Sequence, residues 1–547
     1  MRPAEVAPAE VAPAEVAKAV MEVDVAVIGA GVAGLTAAAL LQRDGYRTLL
    51  LEAHDKAGGC AGYFFHKGYH FDAGATVLMG LDADGLHAQT FARLGAALPE
   101  SALIRRVSAH LPDRTINIDH DQATWARERV ERFARDAAEA ERLRAFWRLI
   151  DRTADAMWAA TAKLPALPLR GWRDIAANLR LVSPGFMSVA PYLFSTVGDA
   201  LRRHRLQENA PLRAFLDGLL LITAQETAGR APFLNGAAGL DIYRHGIRRA
   251  RGGMKAFIKA HVEAFRALGG VLKLRHRVTR IAPQRGGGYL VETERGLIAR
   301  APRVVANLPI WNLPGLIEAD LSARLARPLE KAGTGWGAFT LYLGVRAEVI
   351  PDDAPLNHQV LLRYNEPFED GNSAFLSLSE PDDRASAPPG RRTLNISTHT
   401  EVDGWWRADP EAYAARRAEV AERLLTAAER VFPNLRDGIE CQLPGTPVTF
   451  ARYTGRARGM VGGLRTTLWN SNLFGIGARD AGLPNFWLVG DTVFPGQGTP
   501  ACALSGINAW RDITGRWTLQ SPPSREPAPD EQPSALNPAP PLARTAR

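Results

Sequence analysis

One stretch near the start limits what this chain can become: the apolar run Val23–Ile28 passes without a spacer into Gly29-Ala30-Gly31-Val32-Ala33-Gly34 and an Ala/Leu-rich segment reaching about Arg43. That order of strand, glycine turn and helix opens a β-α-β unit built to hold a dinucleotide. Gly29 permits the tight turn, Gly31 lets the backbone approach a pyrophosphate that a side chain would push away, and Gly34 lets helix pack close to strand. The helix start then turns unpaired N–H groups and a positive dipole to the phosphates. Gly29, Gly31, Ala33 and Gly34 are the candidate contacts of this turn.

A glycine turn alone is weak evidence. Here Tyr46–Leu51 supplies a second strand that ends in Glu52, 18 residues after Gly34. A carboxylate there accepts both hydroxyls of an adenosine ribose and repels a 2′-phosphate, which disfavours NADP. Beyond it come Lys56 and the pair Gly58-Gly59, a second place where backbone can lie against an extended cofactor. At the far end Phe486–Val489 leads into Gly490-Asp491 and Gly496-Gln497-Gly498-Thr499-Pro500. Asp491, at the carboxyl end of a strand, is placed for polyol hydroxyls such as a ribityl chain. Pro500 suits a first helical turn, where its missing N–H would be unpaired anyway. That helix start would stabilise negative charge on a reduced flavin. The two ends together point to FAD, and they add Glu52, Lys56, Gly58, Gly59, Gly490, Asp491, Gln497, Gly498 and Thr499 to the candidate contacts.

A chain of 547 residues has room for two or three domains, and 46% hydrophobic with 23% charged residues is a globular composition. Cys60, Cys441 and Cys502 are far apart with no Cys-x-x-Cys pair, which argues against a disulfide framework, a zinc site and a dithiol redox centre. His66 and His70 sit in an aromatic, strand-like stretch, so no metal site is expected. The formal charge of +8, with arginine-rich runs at 202–205 and 244–251, suits an anionic membrane surface or nucleic acid, and equally a plain solvated face on an arginine-rich chain. No recognisable nucleic-acid module accompanies those runs, so nucleic acid is discarded as a partner.

Residues 3–17 repeat Pro-Ala-Glu-Val-Ala and read as a disordered tail, as does the Pro/Ala/Ser-rich stretch from about Ser521. The leader has acidic residues where an export signal needs a basic end and an apolar run. Between the tails, strands are expected at Val271–Leu274, Val278–Ile281, Tyr289–Thr293, Val304–Val305, Phe339–Val345, Leu394–Thr398 and Asn485–Val489. Gly286-Gly287-Gly288 reads as a hairpin turn, Glu411–Val431 as an amphipathic helix, and Pro500 onward as the last helix. Residues 102–240 read as mainly helical. Leu181–Gly198 is an 18-residue run without charge, interrupted by Pro184, Gly185 and Pro191. It reads as buried substrate-domain core, with a patch dipping into one leaflet as the next reading and a membrane span, for which the run is just long enough, as the third.

With these segments in hand, the sequence resembles the phytoene desaturase-like branch of flavin amine oxidase-type enzymes, and looks most like carotenoid C-3′,4′ desaturases. The resemblance covers roughly residues 22–515. It is carried by VAVIGAGVAGLTAAALL with LLEAHDKAGGCAG, by GYHFDAGATVLMGLDADGLH, and by FWLVGDTVFPGQGTPACALSG. It implies an α/β fold: a Rossmann-like FAD-binding domain of the amine oxidase type with an inserted α+β substrate domain. The chain then divides into a tail (1–21), three FAD-binding parts (22–100, 241–310, 481–516), a mainly helical substrate and membrane-contact region (101–240), a substrate domain with a β-sheet (311–480) and a second tail (517–547). By the same resemblance Arg251-Gly252-Gly253-Met254 leads to a strand whose Val278 contacts the adenine, and Gly74, Ala75 and Thr76 lie near the flavin ring.

The chemistry implied is removal of a hydride and a neighbouring proton from a lipid-soluble carotenoid, with flavin N5 as hydride acceptor. A strong base is unnecessary because an allylic cation on a long polyene is delocalised. No second Gly-x-Gly-x-x-Gly follows a strand, so oxygen or a membrane quinone is the expected electron acceptor. The expected setting is the cytoplasmic face of a membrane, with the enzyme held peripherally. The rival readings are a flavin-dependent carotenoid cis–trans isomerase, an oxidase of amines or porphyrinogens, and a lipid-binding protein of the same fold without catalysis.

Overall fold

The computed structural model describes residues 19–331 and 335–519, and the two expected low-complexity tails lie outside them. In chain order, β1 (Val25–Ile28), α1 (Val32–Arg43) and β2 (Thr48–Leu51) form the opening unit. Then come α2 (Gly253–Ala267), β3 (Val271–Lys273), β4 (Val304–Ala306), β5 (Trp336–Arg346) and β6 (Arg391–Glu401). The last strand and helix are β7 (Phe486–Leu488) and α3 (Thr499–Thr514).

Strands β3-β2-β1-β4-β7 make one sheet in that order, every pair parallel. A parallel sheet is covered on both faces, which is why VAVI, VVA and FWL are unbroken apolar runs and TLLL departs from one only at Thr48, each strand but β3 wholly buried. Strand order reverses about β1, and a crevice opens there at the carboxyl ends. Distant segments close this unit. Helices α1 and α3 touch so closely that a Cβ at Gly506 would overlap the Ala33 carbonyl. Buried Asp44, capping α1, accepts from Arg93, Trp510 and Arg516.

A second sheet of seven strands runs 439–445, β5, β6, 373–378, 357–361, 106–110, 115–119. Its members at 106–110 and 115–119 correct the mainly helical reading of 102–240, although helices fill most of that segment's remainder. These strands are five residues each, and NHQVL and SAFLSL at 357–361 and 373–378 set polar side chains among apolar ones. The period-two signal is therefore weak. The hairpin at Gly286–Gly288 joins Val278–Pro283 to Tyr289–Thr293. The resulting sheet also takes in Ile298–Ala301 and Val20–Glu22, so regular structure begins ahead of residue 22.

The uncharged run at 181–198 folds as short helices and turns, of which Pro184–Val189 is the longest α-helical piece within the run. Leu181 and Val189 are buried, but Val182, Met187 and Phe194 are 60%, 57% and 63% exposed. That exposure overturns the reading of the run as wholly core. Among the described residues no helix is long and apolar enough to cross a membrane.

His87 and His261 are buried against Phe91 and Phe257, and none of their four ring nitrogens has a hydrogen-bond partner. Burial holds His87 down to about 3 and His261 to about 4. In the unfolded chain both titrate near 6.5. Below that value the unfolded state takes up protons that the folded state refuses, so stability present above pH 6.5 is lost as pH falls toward 4. At pH 5.5 each histidine removes about 1.4 kcal/mol. H87L is expected to shrink the drop in urea midpoint between pH 7 and pH 5.5, and a drop equal to that of the unsubstituted chain would contradict this account.

Candidate functional site

A cavity of about 1720 Å³ starts at the carboxyl ends of β1 and β2 and extends to the start of α3 and on beneath the seven-stranded sheet. Every candidate contact expected from the sequence lines it except Gly34. Gly34 acts one layer back: a Cβ there would overlap the Gly29 carbonyl oxygen and approach Asn307 Nδ2 to 3.0 Å. Gly29, at φ +93°, has no room for a Cβ beside the Asn307 carbonyl oxygen at 2.5 Å. A Cβ on Gly31 would sit 2.9 Å from Asn307 Nδ2.

Glu52 Oε2 accepts from Ala30 N–H at 2.7 Å and Oε1 from His54 N–H at 2.9 Å, so the carboxylate both shapes the glycine turn and faces the cleft. Burial raises its pKa, with those N–H groups opposing. Gly58 N–H donates to Ala30 O at 2.8 Å, and Gly59, at φ +57°, lies against Gly31. Lys56 Nζ pairs with Asp55 at 2.8 Å. Gly74 admits no Cβ, because Cys60 O would lie 2.6 Å away, and Ala75 N–H donates to that oxygen. Thr76 is buried, and Val278 starts the strand that borders the Glu52 end.

At the other end Gly490, at φ +110°, donates to Ser505 Oγ at 3.1 Å. Asp491 pairs with Arg456 at 2.9 Å, and Gln497 donates to the Ile222 carbonyl. Gly498 caps α3 with no side chain over its first N–H groups, which leaves them open to an anion. Glu52 and Asp491 thus share one cleft. Asn307 escaped the sequence reading although it follows β4 in a strand-end Ala-Asn-Leu-Pro; it donates to the Gly29 carbonyl and its side chain abuts Gly490. Tyr453, in the last turn of helix Pro447–Thr454, and Arg456, just after that helix, were also missed and also line the cavity.

Past the α3 start the lining turns apolar, with Trp158, Phe186, Leu221, Leu234 and Phe375 among its members. Among the described residues the carboxylates that line the cavity are Glu52, Asp55 and Asp491, all on the nucleotide side. His399 reaches the apolar part and is held by burial at about 4, hence neutral, and it hydrogen-bonds Gln225 at 3.3 Å.

A glycine-lined cleft with an acidic residue at one end and an uncapped helix start at the other is that of a flavoprotein, and the enzyme is an FAD-dependent oxidoreductase. The chain belongs to the flavin containing amine oxidoreductase family, whose model matches residues 32–514. It is 27% identical over 493 residues to a chloroplastic prolycopene isomerase of Arabidopsis thaliana, covering 87% of this chain and 80% of that one. It is 28% identical over 501 residues to a lycopene-forming phytoene desaturase of a Paracoccus species, covering 85% and 92%. The expected likeness to phytoene desaturase-like enzymes therefore holds. Among solved structures, putrescine oxidase bound to putrescine superposes with a TM-score of 0.60 at 16% identity, covering 91% of this chain and all of that one. The fold is the Rossmann-like FAD-binding fold of the amine oxidase type with an α+β substrate region.

Proposed function

We propose that this enzyme is a carotenoid desaturase that introduces a double bond at an allylic position, the 3′,4′ bond being the first to test. The observation that carries the proposal is the cavity itself: one space joins the FAD cleft to an apolar chamber that no carboxylate enters among the described residues. FAD, when bound, supplies a hydride acceptor. The chain's part is to orient and to exclude water. Glycines 29, 31, 58 and 59 admit the dinucleotide backbone, Glu52 takes the ribose, Asp491 the ribityl chain, and Gln497 to Thr499 the flavin's polar edge. Gly74, Ala75 and Thr76 border the ring. His399, kept neutral by burial, adds no positive charge that would repel a delocalised cation, and among the described residues no carboxylate enters the chamber to trap one.

A redox-neutral isomerase is the second reading, favoured by the name of the plant relative. Expressing the chain in a host that makes acyclic and monocyclic carotenoids separates the two. Loss of two hydrogens at a 3′,4′ bond supports desaturation, and a change of geometry at constant mass overturns it.

The electron acceptor on this reading is oxygen or a quinone, and the enzyme sits peripherally on the cytoplasmic membrane. Support comes from one stretch of the cavity wall. Val182, Phe186 and Leu193 line the cavity, while Trp172, Ile175, Leu179, Met187 and Phe194 are exposed in the same segment and exposed Trp469 joins them through Phe474. A patch of this kind marks a partner or a lipid surface. Exposed Lys163 and Arg203 reach the same segment through the Arg180 carbonyl and the Tyr192 ring, the sign that anionic lipid attracts. Burying such side chains is worth about 1.5–3 kcal/mol each. The triple variant V182D/M187D/F194D is expected to lower co-sedimentation with anionic vesicles at least tenfold, and equal sedimentation would remove this face from consideration.

A further inference from the structure

We propose that Arg456 is a cofactor-binding residue of this cleft: its guanidinium holds the Asp491 carboxylate in place for the ribityl hydroxyls and supplies the fixed positive charge that the two phosphates of FAD require. No glycine motif announces this residue, and it follows a part of the chain far from either nucleotide segment. Charge inventory singles it out first. Among the described residues that line the cavity, the lysines and arginines are Lys56, Arg277 and Arg456, set against Glu52, Asp55 and Asp491. A pyrophosphate adds two negative charges to that balanced set. Lys56 is tied to Asp55 at 2.8 Å, and the Arg277 side chain is 46% exposed with Glu294 at 3.8 Å. Arg456 is the most buried of the three, its side chain 12% exposed against 28% for Lys56, beside Asp491 at 15%.

The fold also fixes where that guanidinium points. Asn312 donates to the Gly455 carbonyl at 2.8 Å and accepts from Ala457 N–H at 3.0 Å, gripping the backbone on both sides of Arg456. Gly455 turns the chain at φ +68°, and Arg456 Nε donates to the Met460 carbonyl. Nε is held by that bond, while the buried Nη2 lies 2.9 Å from Asp491 Oδ2 as an ion pair yet makes no hydrogen bond, which leaves that part of the planar fork open to a phosphate. Cys60, next to the Gly58-Gly59 turn, feels the pair: burial pushes its thiol up, with Arg456 opposing and Asp491 adding. Arg456 and Asp491 thus lie within electrostatic reach of the residue that follows the Gly58-Gly59 turn.

The proposal rests on the FAD cleft described above, and its test is chosen so that loss of the cleft and loss of this role look different. Dissociation constants for FAD and for riboflavin, which lacks both phosphates, are measured by flavin fluorescence on the full-length protein freed of cofactor. The ratio of the riboflavin constant to the FAD constant reports the phosphate contribution. R456Q is expected to lower that ratio at least tenfold, R456K to lower it less, and D491N to leave it within threefold while weakening both ligands. An unchanged ratio in R456Q, or an equal fall in D491N, overturns the proposal. If R456Q gives no folded protein by circular dichroism, N312A, which loosens the grip and keeps the charge, must lower the ratio at least threefold, and a ratio equal to that of the unsubstituted chain refutes the role. Failure of every form to bind any flavin would instead refute the cleft.

Discussion

Replacing Gly34 by valine is expected to give a protein that purifies without flavin. The new Cβ would overlap the Gly29 carbonyl oxygen, with Asn307 Nδ2 and Cβ at 3.0 and 3.1 Å on the other side. Neither neighbour can retreat cheaply. Gly29 N–H is bonded to the Leu51 carbonyl at 2.7 Å and its carbonyl is held by Asn307, so moving it disturbs both β2 and the strand end after β4. Ordinary overpacking costs about 1–3 kcal/mol, and a clash with fixed backbone lies at or beyond the top of that range. The only relief is to lift α1 from the sheet. That carries its N–H groups away from the phosphates and parts α1 from α3 at Gly506. If about 3 kcal/mol of the distortion is charged to the bound state, FAD affinity falls more than 100-fold. Flavin retained per polypeptide after gel filtration measures it. G45A serves as the comparison: Gly45 also has positive φ, at +90°, but nothing lies within 4 Å of its Cβ position. It is expected to lose about 1–2 kcal/mol of stability and keep its colour. A stoichiometrically yellow G34V protein would show that close approach of α1 is not what the glycine is for.

The parts of this architecture that were legible in the sequence are those whose chemistry is local. A glycine at positive φ, an acid at a strand end and a proline in a first helical turn announce themselves within a few residues. So Gly29 to Gly34, Glu52 and the stretch Gly490 to Thr499 could be read as parts of one site, and they meet at one cleft. Asn307 and Arg456 line the same cleft, yet beyond the strand end before Asn307 nothing local marks either of them. Asn307 matters because β4 happens to sit beside β1, and Arg456 because Asn312 grips its segment from 145 residues away in the chain. The second sheet was half read for a related reason. Strands β5 and β6, eleven residues each, show their period, whereas the strands at 106–119 and 357–378 are short and carry polar side chains. The uncharged run at 181–198 misled in the opposite direction. Hydrophobicity says that a segment avoids water, not whether protein or lipid covers it.

The largest stability effect is expected where three parts of the molecule meet, at Asp72. Both Asp72 and Arg249 are about 5% exposed, and they pair at 3.2 Å. Asp72 Oδ1 also accepts from Met254 N–H at 2.7 Å, so a side chain from the 63–72 hairpin serves as the missing cap of α2. Gly253, at φ +65°, permits the approach, since a Cβ there would overlap that oxygen. Arg249 in turn donates to the Thr76 carbonyl at 3.3 Å and to Ser377 Oγ at 3.1 Å, reaching the cavity-lining loop and the seven-stranded sheet. Burial raises the Asp72 pKa, while Arg249 and the Met254 N–H pull it back. D72A removes the counter-charge of a buried guanidinium, a loss of about 3–5 kcal/mol, and orphans a helix N–H, about 1 kcal/mol more. Against a total folding stability of about 5–15 kcal/mol, that is a large share. D72N keeps an acceptor for Met254 and should lose less. The double variant D72A/R249M removes the stranded cation as well, and should recover at least about 2 kcal/mol relative to D72A, since contacting residues couple on this scale. The urea midpoint of the flavin-loaded protein reads all three. Were D72A to unfold within about 1 kcal/mol of the unsubstituted chain, the pair would be an ornament of packing, and the joint between the flavin side and the second sheet would have to be held by the surrounding apolar contacts alone.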